Sequence, residues 1–152
     1  GFHFIYDDPV RNKAGAATLD PPRFHSYGST TADGLRAVLL AGLPPSAEEP
    51  RAALQWLNTH FRADTHPGVY VPTHEPNREA VYYYYAASVA RAFRAVPTAL
   101  TGQGDWATAL ATELTRRQRP DGSWANPVEL VRENEPLVAT SYAVVALARC
   151  KP

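Results

Sequence analysis

The sequence predicts an all-α fold of two concentric helical layers, and three observations carry the prediction. Five segments hold apolar residues at helical spacing. Segments apolar on nearly every face alternate with amphipathic ones, the pattern of an inner wall covered by an outer one. The all-round apolar segments begin near residues 30, 80 and 137. That spacing of roughly fifty residues suits helical repeats, whose units bury their faces against neighbours. A chain of 152 residues is long enough for one domain with a real core. Residues 1–152 therefore read as a single domain, irregular over 1–28 and made of helical repeats over 29–149.

Residues 1–28 show no sustained period, and Asp7-Asp8-Pro9 and Asp20-Pro21-Pro22 are turn signals. The first helix is expected over 30–41, with Ser29 as N-cap and Gly42 as the stop. Its apolar residues, from Ala32 and Leu35 to Leu40 and Ala41, cover nearly every face. The second, over 50–61, sets Ala53, Leu54, Leu57 and Phe61 on one stripe, with Arg51, Gln55, Asn58 and Arg62 off it. Pro50 suits its first position, while Ser46 with Glu49 has capping-box spacing that would start it a turn earlier. The third is expected over 79–96, with Tyr82, Ala86, Val89, Phe93 and Val96 on one face and Arg91 and Arg94 on a wetter side. The fourth, over 106–117, follows Asp105 as N-cap and exposes Glu113, Arg116 and Arg117. The fifth, over 137–149, is again apolar nearly all round. The first and fifth helices stand at the ends of the row. Leu35, Leu39, Val144 and Leu147 are therefore expected to lack a lid unless residues 1–28 supply one. Such a strip marks an interface, either with the rest of a longer parent chain or by self-association.

Composition narrows the function classes. The formal charge is zero, and the 13 Arg and 2 Lys are scattered, which argues against a nucleic-acid partner held by phosphate contacts. No apolar run is long enough for a membrane-spanning segment. The single Cys150 excludes an intrachain disulfide framework and a multi-Cys zinc site. His3, His25, His60, His66 and His74 lack metal-ligand spacing, so neither metal nor cofactor is expected.

The fourth helix runs into Gln118-Arg119-Pro120-Asp121-Gly122-Ser123-Trp124. Pro120 cannot continue a helix, Asp121 supplies a local acceptor, and Gly122 is free to take positive φ, so Trp124 sits just past a tight turn. Ala111-x2-Leu114-x3-Gln118-x3-Gly122-x-Trp124 resembles the QW motif of squalene–hopene cyclases, within the prenyltransferase and squalene oxidase repeat family. Further stretches are similar to bacterial proteins carrying such repeats: 23–31 with Gly34-Leu35 and Ala41-Gly42-Leu43, Tyr82 to Tyr85, and Leu137 to Tyr142. Together they cover most of 23–149. The resemblance implies an α/α toroid in which QW motifs join an outer helix to the next inner one. It also implies that Gln118 and Trp124 clasp neighbouring outer helices by stacking. This chain would form an incomplete arc of about five main helices. Gly1-Phe2 looks like the tail of a preceding repeat, so the chain is expected to begin in mid-fold.

The resemblance also sets a search for chemistry. Class II cyclases protonate their substrate with an Asp-x-Asp-Asp motif at an inner helix. The matching stretches here, Ser29-Thr30-Thr31-Ala32 and Val138-Ala139-Thr140-Ser141, carry no carboxylate. The family's zinc prenyltransferases use Asp, Cys and His, but Cys150 has Ala148 two residues before it. No catalytic residue is therefore assigned. Four consecutive tyrosines point in four directions on a helix; Tyr82 and Tyr85 share a side. They fit either an aromatic rim for an apolar or glycan small-molecule ligand, or core packing with hydroxyls reaching carbonyls. His74-Glu75 at the entrance of that helix fits either acid–base work or a solvated loop, as does Glu133-Asn134-Glu135 at the entrance of the fifth. The ligand-binding candidates are Tyr27, His74, Glu75, Tyr82, Tyr85 and Tyr142; the structural motif is Gln118, Asp121, Gly122 and Trp124. The expected function is a non-catalytic scaffold binding a ligand or protein. The alternatives are a fragment of a cyclase-like enzyme acting on an apolar isoprenoid and a polysaccharide-active toroid.

Overall fold

The structure, a computed structural model, describes residues 1–8, 10–97, 101–102 and 104–151. Among them lie six α-helices: α1 (Gly28–Leu40), α2 (Glu48–His60), α3 (Pro76–Ala80), α4 (Tyr82–Ala95), α5 (Trp106–Arg117) and α6 (Pro136–Cys150). A 3-10 turn, Pro72–His74, leads into α3. An antiparallel hairpin of β1 (Ala16–Leu19) and β2 (Pro22–Phe24) precedes the helices. The expected all-α class is thus corrected to a mostly helical chain with one small sheet. Strands of three and four residues are too short to show alternation in sequence; the turn signal at Asp20-Pro21-Pro22 was the visible part of the hairpin.

α4 is the central helix. α1 packs on one flank and α6 on the other, while α2 backs α1 and α5 backs α6. One core runs through all five, from Ala32 and Leu35 through Leu57, Tyr82, Val89 and Phe93 to Leu110, Leu114, Trp124 and Ala143. Buried Ala86 and Ala90 on α4 and Ala139, Ala143 and Ala146 on α6 are small enough to let helix axes approach closely.

Several boundaries move for physical reasons. Tyr27, not Ser29, takes the N-cap place of α1, because Ser29 is buried inside the first turn with its N–H already bonded. Gly42 does end the helix: its N–H reaches Leu39 O and that of Leu43 reaches Val38 O. Ala47 precedes α2 without any side-chain cap, so the Ser46/Glu49 box does not form, and Pro50 is buried in the first turn, where its missing N–H costs nothing. The continuous helix expected over 79–96 is broken at Val81, φ −116° and ψ 27°. The end helices do keep an uncovered apolar strip, but of the residues expected there only Val144 is exposed: Leu35 is buried, and Leu39 and Leu147 pack against the core. α1 buries Ala32 and Leu35 but leaves Leu40 82% exposed; α6 buries three alanines but leaves Leu137 81% and Val144 52% exposed. Each has α4 on one flank only, so each has one uncovered face.

Candidate functional site

The entrances of α1 and α4 and the N-terminal segment enclose a cleft of about 600 Å³. Asn12 builds that segment. Fully buried, its Oδ1 accepts the N–H groups of Phe4 and Ile5, and its amide donates to the carbonyls of Ile5 and Asp8. The strap so formed is pinned to α1: Phe2 N–H donates to Thr31 Oγ1 at 3.0 Å, and Thr30 Oγ1 donates to Phe2 O at 2.9 Å. Gly34 is required here, since a Cβ would lie 2.6 Å from the Phe2 ring. Residues 1–28 therefore do supply part of a lid for α1.

Inside the cleft, Tyr84 of α4 donates its hydroxyl to Asp33 Oδ2 of α1 at 2.6 Å, and the Tyr142 ring of α6 meets Tyr84 edge-on at 5.4 Å. Arg36 stands 3.7 Å from the other Asp33 oxygen. Burial and the Asp33 carboxylate push the Tyr84 hydroxyl up to about 12, so at neutral pH it is a proton donor in a hydrogen bond, not a nucleophile. Phe2, Phe4, Ala37 and Val81 give the walls their apolar character, and Arg11 and Lys13 stand at the rim. Ser29–Ala32 carries no carboxylate, but the next residue, Asp33, does, and it lines the cleft. Its position, one turn after Thr30 on the same helical face, was the available signal.

The sequence candidates divide. Tyr27 lines the cleft while itself nearly buried, and burial raises its hydroxyl pKa. Tyr142 belongs to the tyrosine row beside it. Tyr82 and Tyr85 lie in the core with no exposure, their hydroxyls bonded to Ala63 O and Arg62 O, so the rim role is corrected to packing. His74 braces the strap by bonding Asn12 O at 3.1 Å. Exposed Glu75 grips Arg78, and the Arg78 guanidinium lies over the Tyr70 ring and donates to His66 O. His74 and Glu75 therefore hold the surrounding loops and do not line the cleft.

Two buried titratable groups, neither readable from sequence as a helix cap, control the helix entrances. His66, 0% exposed, accepts the Ser29 N–H on Nε2 at 2.9 Å. An accepting Nε2 puts the proton on Nδ1, which faces Tyr70 Oη at 3.1 Å. Burial, with the Arg78 charge adding to it, lowers its pKa to about 3. Glu133, 2% exposed, accepts the N–H groups of Tyr83 and Tyr84, both at 2.8 Å. In an unbroken helix those donors would bond the carbonyls of Glu79 and Ala80; the Asn126 amide takes these instead, at 3.0 and 3.4 Å, and also reaches Glu133 at 3.1 Å. The Asn126–Glu133 pair is thus a wedge that serves both sides of the break at Val81. Burial pushes the Glu133 carboxyl up to about 7 against the pull of its N–H donors. Glu133 therefore caps α4 from a buried position and does not lie in a solvated loop.

The turn after α5 is closed from within. Gly122 has φ +83°, Gln118 Nε2 donates to Gly122 O at 2.8 Å, and Asp121 accepts both the N–H and the hydroxyl of Ser123. Buried Trp124 donates its indole N–H to Leu114 O at 2.7 Å, and its backbone N–H to Thr140 Oγ1 of α6. The Gln118 amide is thus used inside the turn, while Trp124 ties α5 to α6. Among the described residues no three His, Cys, Asp or Glu groups gather as a metal site, and no helix is long and apolar enough to cross a membrane. Comparison with family models, curated proteins and solved structures finds no match to this chain.

Proposed function

We propose that the chain is a non-catalytic helical-repeat module that binds a small ligand in the strap cleft. The observation that carries this reading is the Asp33–Tyr84 pair, an oriented acceptor–donor couple in a cleft that Phe2, Phe4, Ala37 and Val81 make largely apolar and that Arg11 and Lys13 also line. An apolar body with a few fixed polar groups is the make-up of a ligand pocket, and the volume is of pocket size. The ligand is then an apolar molecule with a hydroxyl end, or a glycan laid against Phe4 and Tyr84. The resemblance to cyclase and prenyltransferase repeats supports the same picture: α1, α4 and α6 as the inner wall of a toroid arc, α2 and α5 as its outer wall. The uncovered α6 face, with Leu137 and Val144, is where the array continues, into a longer chain or a second copy. A protonated tyrosine and a carboxylate engaged by donors favour this scaffold over a fragment of a squalene–hopene-cyclase-like enzyme.

Calorimetric titration of farnesol and of cellobiose tests the reading, on the protein and on Asp33→Asn and Tyr84→Phe. Farnesol binding weakened about tenfold in both variants is expected, the loss for a hydrogen bond to a charged group. Cellobiose binding in its place assigns the cleft to a glycan. Silence with both, or equal binding in the variants, refutes the ligand-cleft reading.

A further inference from the structure

At the opposite end of the inner row, the C-terminal turns of α1, α4 and α6 form a groove of about 450 Å³. Among the described residues, four of those lining it are arginines, Arg36, Arg91, Arg94 and Arg149, and none is a carboxylate. Elsewhere Arg11, Arg62, Arg78, Arg116, Arg117 and Arg132 each pair with Asp or Glu, while Arg23, Arg51 and Arg119 are single exposed residues with no ion pair among the described residues. Among the described residues, Arg91, Arg94 and Arg149 have no such partner within ion-pair distance, and Arg36 has only its 3.7 Å approach to Asp33, which Tyr84 shares. In a chain of zero net charge this is a local excess of positive charge.

Arginines near helix C-termini complement the helix dipole, and Arg94 has a structural duty. It donates to Arg149 O and Lys151 O and lies 5.5 Å from the Trp106 ring centre. Neither fact accounts for the rest of the groove. Leu39 and Leu40 share it with the charges, and Leu40 stands 82% exposed. An apolar surface flanked by uncompensated guanidinium groups complements one kind of molecule.

We infer that this groove binds an oxyanion carrying an apolar chain, with Arg91 and Arg149 holding the head and Leu39 and Leu40 the chain. Guanidinium groups suit phosphate because their forked donors match its oxygens. The groove touches the strap cleft only through the Arg36–Asp33 pair, and neither Arg91 nor Arg149 lines the cleft, so its failure leaves the cleft proposal untouched.

The test uses octyl phosphate below its micelle concentration, with inorganic phosphate and octanol as half-ligands, followed by calorimetry. Octyl phosphate is expected to bind at least about tenfold more tightly than either half, and to weaken as salt is raised. The double variant Arg91→Gln, Arg149→Gln should lose about tenfold or more of the affinity, with its melting temperature confirming that it folds. Leu40→Ser, on a solvent-facing position, should remove the advantage over inorganic phosphate. Octyl phosphate binding no tighter than phosphate, or binding unchanged in the double variant, overturns the inference. So does sedimentation with phosphatidylcholine vesicles containing phosphatidate in the absence of octyl phosphate binding, which would make the groove a contact for a membrane surface.

Discussion

The entrances of α1 and α4 are closed in the same way by different chemistry. In each case the cap comes from the loop that follows the next amphipathic helix: His66 after α2 returns to α1, and Glu133 after α5 returns to α4. At α1 a neutral imidazole accepts one N–H while Pro67 O accepts that of Gly28. At α4 a carboxylate accepts two, and Asn126 occupies the carbonyls released on the far side. A helix start needs acceptors for its orphan N–H groups, and either type of side chain serves. What differs is charge. A buried neutral base resists protonation and a buried acid resists ionisation, so the two entrances respond to pH with opposite sign.

The largest effect is expected from removing the support of the α4 entrance. Trp124 anchors the loop that carries Asn126 and Glu133, and Trp124→Ala should cost about 3–5 kcal/mol in urea melts, as for a buried ring. A loss under about 1 kcal/mol would mean the ring is not packed as described. Next, Glu133→Ala leaves two N–H groups and the Asn126 amide without their acceptor. It should cost about 3 kcal/mol, and hydrogen exchange should rise first at Tyr83 and Tyr84. Uniform exchange along α4 would separate Glu133 from the break at Val81.

The comparison sharpens with pH. Glu133 is raised from 4.5 to about 7 in the folded state. Its favourable contribution is therefore complete below 4.5 and is lost as pH rises to about 7, a change of about 3 kcal/mol. His66 is lowered from 6.5 to about 3. Its contribution is complete above 6.5 and is lost as pH falls toward 3, with about 3 kcal/mol gone by pH 4.5. Between 4.5 and 6.5 the two nearly cancel in the native chain. In His66→Gln, whose amide oxygen can still accept the Ser29 N–H, stability should increase as pH falls from 7 to 4.5. In Glu133→Gln it should decrease over the same window. Parallel profiles in the two variants would refute the opposed assignment. The smallest effect belongs to the cleft between the entrances: Tyr84→Phe removes one hydrogen bond to Asp33 and should cost about 1 kcal/mol in thermal melts. A separate measurement concerns the far flank, where Leu137→Lys with Val144→Lys should abolish any self-association seen by sedimentation, without lowering the melting temperature.

Much of the candidate site was legible in pieces. Tyr27 was readable as an aromatic residue at the α1 entrance and Tyr142 as one within the last helix. His74 and Glu75 were visible as a polar pair, but the strap they brace depends on Asn12, 62 residues away in the bond to His74. Asp33 was not legible as a cleft residue because the Asp-x-Asp-Asp position falls on Ser29 to Ala32, one residue before it, while the cleft is met by the helical face that Thr30 begins. The arginine groove was invisible, since scattered arginines converge only when three helix ends meet.

The sequence by itself determined where the five main helices lie, to within about four residues, because period, proline and glycine act over one or two turns. Gly42 and the Pro120-Asp121-Gly122 turn stop their helices wherever they are placed. Tertiary structure decided what those helices bury and where the third one breaks. α1 and α6 are apolar enough for burial on every side, yet their place at the ends of the row leaves Leu40 and Leu137 in water. The break at Val81 is set by Glu133, 50 residues from Tyr83, and the α1 entrance by His66, 37 residues from Ser29. No local window contains such pairs. A buried acceptor and the N–H it satisfies are fixed together only when packing removes both from water.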